Sequence, residues 1–361
     1  MATKSTTALE TPLRDQLDRL TAIEPSDRAI VSLYLDMRPD QNGQRTHVDT
    51  FVRNSFGEQA RFLTGHLRAG FERAGERISE YIANQSPKSA QGLAIFASTT
   101  GDLFEGIRFE VPIEQPSMHL GAVPHLYPLA RVNDQYPRYA ALLLDTNRAD
   151  LYVFALGATK RRESVQSEKT RRTSMGGWSQ ARYQRRTNNF HKQHLKEVVD
   201  LLDRVVAAER LNHIVIACDE VARPFLMEQL PKHLAEKVID MANVDVKALP
   251  ERELLSETMA ALRRADAKTD AEQVQRMLDA WRAGGLGVAG IEPTLRALEM
   301  RQVEELLIAS RPDRVAGPVD ELVANAQKNS ARIRFIEDES LLADVGGVGA
   351  LLRFKIQAGT P

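Results

Sequence analysis

Nothing apolar recurs between Lys160 and Gln180, so this part of the chain cannot enter a core, and the flanking elements must fold so as to leave it outside. Two adjacent glycines, Gly176 and Gly177, followed by Trp178, Ser179 and Gln180, continue neither a helix nor a strand easily. The pattern predicts an exposed, mobile loop with one neutral polar side chain at its tip. From Lys160 to Lys192 the stretch is strongly cationic. It holds ten cations (Lys160, Arg161, Arg162, Lys169, Arg171, Arg172, Arg182, Arg185, Arg186, Lys192) against Glu163 and Glu168. The whole chain has a formal charge of −1, so subtracting this +8 leaves about −9 for everything else. A basic block on an acidic body is a docking surface for a polyanion. The same composition also describes a disordered surface loop with solvated charges.

The loop is framed by apolar elements. Before it, Tyr139–Asp145 and Ala149–Ala155 read as two strands joined by a Thr-Asn-Arg turn. After it, Leu195, Val198, Val199, Leu202, Val205 and Val206 fall on one helical stripe, so a rigid scaffold can aim the tip. A strand at 213–218, a helix from near 221–224, a short strand at Val244–Val246 and a helix over about 251–264 follow.

At 361 residues the chain exceeds one ordinary core, and we expect an α/β protein of three domains: 1–130, 135–265 and 268–361. In the first, Ala29–Leu35 reads as a strand and the apolar positions from Phe51 to Ile82 as one amphipathic helix or two. The runs 92–97 and 103–111 flank a polar turn, which predicts a hairpin. Prolines at 124, 128 and 137 mark 119–137 as a linker. In the last domain a helix over about 270–283 precedes Gly284–Gly290, where a nucleotide-binding fingerprint would need a strand. Alternating elements then run from Pro293 to Phe354.

Hydrophobic content of 43% and charged content of 27% are ordinary for a soluble globular chain. The single Cys218 excludes an intramolecular disulfide and a cysteine-based zinc site, and its place in the run 213–218 reads as a buried, inert thiol. No run approaches the roughly 20 apolar residues of a membrane helix, and the N-terminus has no signal-peptide core, so we expect a cytoplasmic protein that avoids membranes.

Ser179-x-x-Arg182-Tyr183-x-Arg185 directly after two glycines resembles the Gly-Gly-Gln-Ser-x-x-Arg-Phe-x-Arg loop of archaeal and eukaryotic class 1 peptide-chain release factors. In a gapless comparison the family's catalytic glutamine falls on Trp178, and Gln180 lies two residues later. The Gly177-x-x-Gln180 spacing resembles the related ribosome-quality-control factors, which release or cut peptidyl-tRNA on stalled large subunits. Gly346–Phe354 after Asp338-Glu339-Ser340 resembles the end of release-factor C-domains, which are related to a small ribosomal RNA-binding fold. The likeness covers about 135–356. It implies an RNase H-like middle domain, a C-domain that contacts a translational GTPase, and ribosomal RNA and peptidyl-tRNA as partners. The family's codon-reading Asn-Ile-Lys-Ser tetrapeptide is absent from this chain.

Hydrolysing the ester at a tRNA 3′ end needs an aligned water and donors for the developing oxyanion. The resemblance gives this work to Gln180, with Gly176 and Gly177 allowing close backbone approach, and it needs no cofactor. Arg171, Arg172, Arg182, Arg185 and Arg186 would grip RNA phosphates beside Ser179. Trp178 either stacks on a base or anchors the loop to the domain surface. Three other chemistries compete. Asp145 and Asp219 end their strands and invite a two-metal nuclease reading. His191 and His194, at i and i+3, offer a metal or phosphate site, or are solvated helix-surface residues. A non-catalytic factor that fills the A site of idle ribosomes would need only the binding surface.

Overall fold

The computed structural model describes residues 13–85, 90–156, 158–166, 180–243, 251–315 and 317–355. It is a mixed α/β structure with three sheets. Along the chain the elements are α1 (Leu13–Thr21), β1 (Ile30–Asp36), α2 (Thr46–Ala60), α3 (Gly65–Gln85), β2 (Gly92–Ser98), β3 (Phe104–Phe109), β4 (Ser117–Gly121) and α4 (Tyr127–Gln135). Then come β5 (Tyr139–Leu144), β6 (Arg148–Ala155), β7 (Ala158–Gln166), α5 (Gln180–Ala208), β8 (His213–Cys218), α6 (Ala222–Gln229), α7 (Lys232–Ala235) and β9 (Val238–Asn243). The chain closes with α8 (Glu251–Arg282), β10 (Gly287–Ala289), α9 (Ile291–Glu299), β11 (Val303–Ala309), α10 (Val319–Lys328), β12 (Arg332–Ile336) and β13 (Val348–Leu352). Among the described residues no helix is long and apolar enough to cross a membrane.

The chain divides into two compact units. One is Pro137–Lys268, built on a five-stranded sheet in the order β7-β6-β5-β8-β9. β5, β6 and β7 pair antiparallel, whereas β8 and β9 continue parallel to β5, the sheet of an RNase H-like domain. Its central strand β5 is apolar at every position and its neighbours β6 and β8 nearly so, because both faces are covered. Ala140, Leu142 and Leu144 of β5 pack with the α5 stripe, while Tyr139, Ala141 and Leu143 pack with Leu254, Ala261 and Leu262 of α8.

The other unit joins the described residues up to Tyr136 with those from Thr269 onward. It holds the sheets β3-β2-β1-β4 and β10-β13-β11-β12. The β2–β3 hairpin forms as expected, in the register Gly92↔Phe109. The helical stretch resolves into two helices, α2 and α3, which cover one face of β1 and β2 with Val48, Val52, Phe71, Ala74 and Ile78.

Residues 119–137 are not a linker. They hold the end of β4 and the whole of α4, whose Tyr127, Leu129, Ala130 and Val132 are buried. Pro128 sits in the first turn of α4, where a missing N–H costs nothing. The helix stitches the two segments of this unit together. Tyr127 Oη donates to the Ala309 carbonyl at the end of β11, and Asp134 accepts from Phe335 N (2.9 Å). Asp320, at the start of α10, accepts from Leu126 N (3.1 Å) and Tyr127 N (3.3 Å) and meets the His125 ring at 2.6 Å. One carboxylate therefore holds the first amides of α4 and a histidine at once. Asp320→Ala is expected to destabilise this unit by roughly 2–3 kcal/mol, the loss typical of a helix cap combined with a part-buried charged hydrogen bond. Urea unfolding measures it, and a midpoint equal to that of the unaltered protein would rule out this role.

The two helices expected over about 251–264 and 270–283 are one helix of 32 residues, α8, since no Gly or Pro separates them. The strand expected at Val244–Val246 lies outside the described residues, and the strand that pairs with β8 is β9, just before it. The Gly284–Gly290 run is a turn followed by the short strand β10, which enters antiparallel to β13.

Candidate nucleic-acid interface

The two ends of the cationic stretch fall in regular elements that its composition does not suggest. Residues 158–166 form β7, the edge strand on the β6 side of the sheet, and Gln180 is the first residue of the 29-residue α5. Lys160, Arg161 and Arg162 lie in β7, and Arg182, Arg185 and Arg186 lie in the first two turns of α5. Lys169, Arg171, Arg172, Gly176, Gly177, Trp178 and Ser179 lie outside the described residues.

Both flanking elements are anchored further along the chain. β7 pairs with β6 from Arg148↔Gln166 to Ala155↔Ala158, and a bulge at Val153/Phe154 shifts the register near the turn. α5 is fixed by the buried side chains Leu195, Val198, Val199, Leu202, Val205 and Val206. The described residues on either side of 167–179 are thus the edge strand of a sheet and the N-terminus of a long helix. At such an N-terminus the first backbone N–H groups have no acceptor within the helix.

Part of the cationic charge is used internally. Arg161 pairs with Glu163 (2.7 Å) and Glu209 (3.1 Å), and Glu209 also binds Arg138 at 2.6 Å. Arg162 lies 3.6 Å from Asp150 with its guanidinium 5.1 Å from the centre of the Tyr152 ring, and Lys192 pairs with Glu228 (2.9 Å). Asp150 is a residue that sequence reasoning passed over. Its side chain is only 5% exposed, and it holds Arg148 (2.8 Å), Arg162 and Ser164, tying the two strands of the hairpin. The signal was present: an aspartate in the middle of the otherwise apolar run Ala149–Ala155 must find partners if it is buried.

The competing sites are otherwise employed. Asp145 Oδ1 accepts from Asn147 N (2.6 Å) and Arg148 N (2.7 Å), closing the β5–β6 turn. Asp219 Oδ1 accepts from Ala222 N (2.6 Å) at the start of α6. Both carboxylates thus order local backbone, the common task of an aspartate after a strand. His191 and His194 do not form a shared surface. His194 is buried, and burial lowers its pKa, while the His191 ring packs edge-on against Phe225 with centroids 5.9 Å apart. Cys218 is a buried thiol whose pKa is raised by burial, the opposite of what a nucleophile requires.

Residues 124–263 match the model of bacterial archaeo-eukaryotic release factor family 10, and residues 267–356 match that of eRF1 domain 3. Comparison with curated proteins gives no match. Among solved structures, the archaeal translation termination factor aRF1 is 18% identical, with 94% of this chain and 98% of that chain covered and a TM-score of 0.26. Dom34 of S. cerevisiae is 10% identical, with 71% and 75% covered and a TM-score of 0.42. A ribosome-bound archaeal Pelota is 15% identical, with 99% and 96% covered and a TM-score of 0.41. Two consecutive family matches, one falling on the RNase H-like sheet that carries the loop and the other on the C-terminal sheet, identify the chain as a bacterial archaeo-eukaryotic release-factor-like protein.

Proposed function

We propose that this protein binds the large ribosomal subunit and releases the nascent peptide from peptidyl-tRNA on stalled ribosomes, in the cytoplasm and without a cofactor. The observation that carries the reading is the position of Gln180. It opens a long helix directly after Gly176-Gly177-Trp178-Ser179, and the first backbone N–H groups of a helix have no acceptor within it. That combination suits alignment of a water and stabilisation of an oxyanion. Arg171, Arg172, Arg182, Arg185 and Arg186 then contact RNA phosphates, with Trp178 and Ser179 beside the tRNA end. In this reading 1–130, 135–265 and 268–361 are three functional parts. On the match to eRF1 domain 3, the last of them meets a translational GTPase.

One observation favours a second reading. The glutamine stands two residues beyond the position it occupies in the release-factor pattern, and it lies within a helix. A chain that has lost the catalytic placement but kept the cationic surface would occupy the A site of idle ribosomes without chemistry. The test incubates the protein with stalled large subunits carrying labelled peptidyl-tRNA and analyses both products. Released peptide with an intact tRNA 3′ end is the expected result and means ester hydrolysis. A shortened tRNA would mean cleavage of the nucleic acid instead. Tight binding with neither product would replace the catalytic reading with occupancy.

A further inference from the structure

We propose that one end of the C-terminal sheet is a docking surface for a protein partner that presents an acidic amphipathic helix. Eight large hydrophobic side chains are exposed among the described residues, and four belong to this end: Trp281 (44%), Leu286 (44%), Met300 (45%) and Phe354 (47%). Single exposed apolar residues need no explanation, but a group of this composition does.

The backbone brings the four to one end of the sheet. Leu352 N donates to Leu286 O (3.0 Å) and Arg353 N donates to Gln302 O (2.8 Å). Leu286 before β10, Phe354 after β13 and Met300 before β11 are therefore neighbours across the sheet. Trp281 occupies the last turn of α8, and the turn closed by Gly284 N to Trp281 O (3.0 Å) leads straight to Leu286. Trp, Phe, Leu and Met around a sheet end have the composition of a protein-binding centre rather than that of an RNA platform. Leucine and methionine offer a base no flat ring to stack on.

Charge selects the partner. α8, α9 and α10 all end here, so their negative C-terminal carbonyls converge. The protein answers them with its own groups. The Arg353 guanidinium donates to Ser330 O (2.9 Å), Lys355 Nζ to Gly284 O (2.8 Å) and Asn329 Nδ2 to Leu298 O (2.6 Å). Among the described residues neither these two cations nor Arg301 pairs with a carboxylate. Arg301 also has φ +56°, a conformation that glycine adopts freely at a helix end. The sequence keeps an arginine there, and with it a cation on the rim. A cationic rim around an apolar centre is complementary to a helix with one apolar and one acidic face. The surface owes nothing to the loop around Gln180, so this proposal and the functional one fail separately.

The test uses the full-length protein and a fluorescent synthetic peptide of about five helical turns, with Leu and Phe on one face and Glu on the other. Its controls are the same peptide with Lys in place of Glu and a short single-stranded RNA. The acidic peptide should bind and the basic one should not. Leu286→Asp and Phe354→Asp should each weaken binding about tenfold or more, and Arg301→Glu should weaken it while flattening its salt dependence. All three positions are exposed, and Met300→Asp serves as a replacement for any variant whose thermal unfolding changes. Equal binding of both peptides, unchanged affinity in the variants, or RNA binding that Phe354→Asp abolishes overturns the proposal. So does a concentration-dependent dimer that Phe354→Asp dissolves, since a second copy is then the occupant. Peptide binding that appears only after removal of residues 356–361 would show that the chain covers the surface itself, and overturns it too.

Discussion

Gln180→Ala is expected to lower peptide release from stalled peptidyl-tRNA by roughly 10²- to 10³-fold while leaving ribosome binding unchanged, the usual cost of removing one water-positioning or oxyanion donor. The substitution suits the test because the residue begins α5, and alanine is the best helix former, so the scaffold persists. Its contribution should appear in the rate at saturating protein and not in the concentration for half-saturation, since the amide acts on the transition state. Trp178→Ala should cost less, through positioning of the tRNA end. Single-turnover release on purified stalled subunits measures both. If Gln180→Ala releases peptide as fast as the unaltered protein, no catalytic role for this side chain survives.

What the sequence made legible was the buried part. Strands with both faces covered are mostly apolar on both sides, so β1, β5, β6 and β8 could be read directly, as could the stripe of α5. β7 was missed for the opposite reason. Thr-Lys-Arg-Arg-Glu-Ser-Val-Gln has no apolar alternation, because an edge strand pairs on one side only and carries charge that discourages further pairing. Its cations looked free in sequence, yet Arg161 meets Glu209, just past the end of α5, and Arg162 meets Asp150 on β6, acids that no linear reading places beside them. α4 was read as a linker because its prolines signalled breaks. Pro128 instead falls in the first turn, Leu129 is fully buried, and α4 packs on β12 and α10 from the far end of the chain. His194 shows the same limit. Its i, i+3 relation to His191 suggested a pair, but the helix turns it toward the core. For the site, sequence supplied the residue types and the structure supplied their mounting: a rigid edge strand on one side and a helix start at Gln180 on the other.

Replacing Arg171, Arg172, Arg185 and Arg186 together with alanine is expected to weaken binding to large ribosomal subunits by roughly 10²-fold or more at low salt, and to flatten its salt dependence. The reasoning is electrostatic. Each cation that neutralises an RNA phosphate releases a counterion, so four lost contacts should reduce the slope of log affinity against log salt by about 3. Arg161, Arg162 and Lys192 make the internal control. They belong to the same cationic stretch but pair with Glu163, Glu209, Asp150 and Glu228, so their substitution should change stability more than affinity. If positive charge anywhere in the stretch were enough, both groups of variants would lose affinity alike. If the quadruple variant co-sediments with ribosomes as well as the unaltered protein at every salt concentration, the loop does not dock, and the release activity expected of Gln180 would have no means of reaching its substrate.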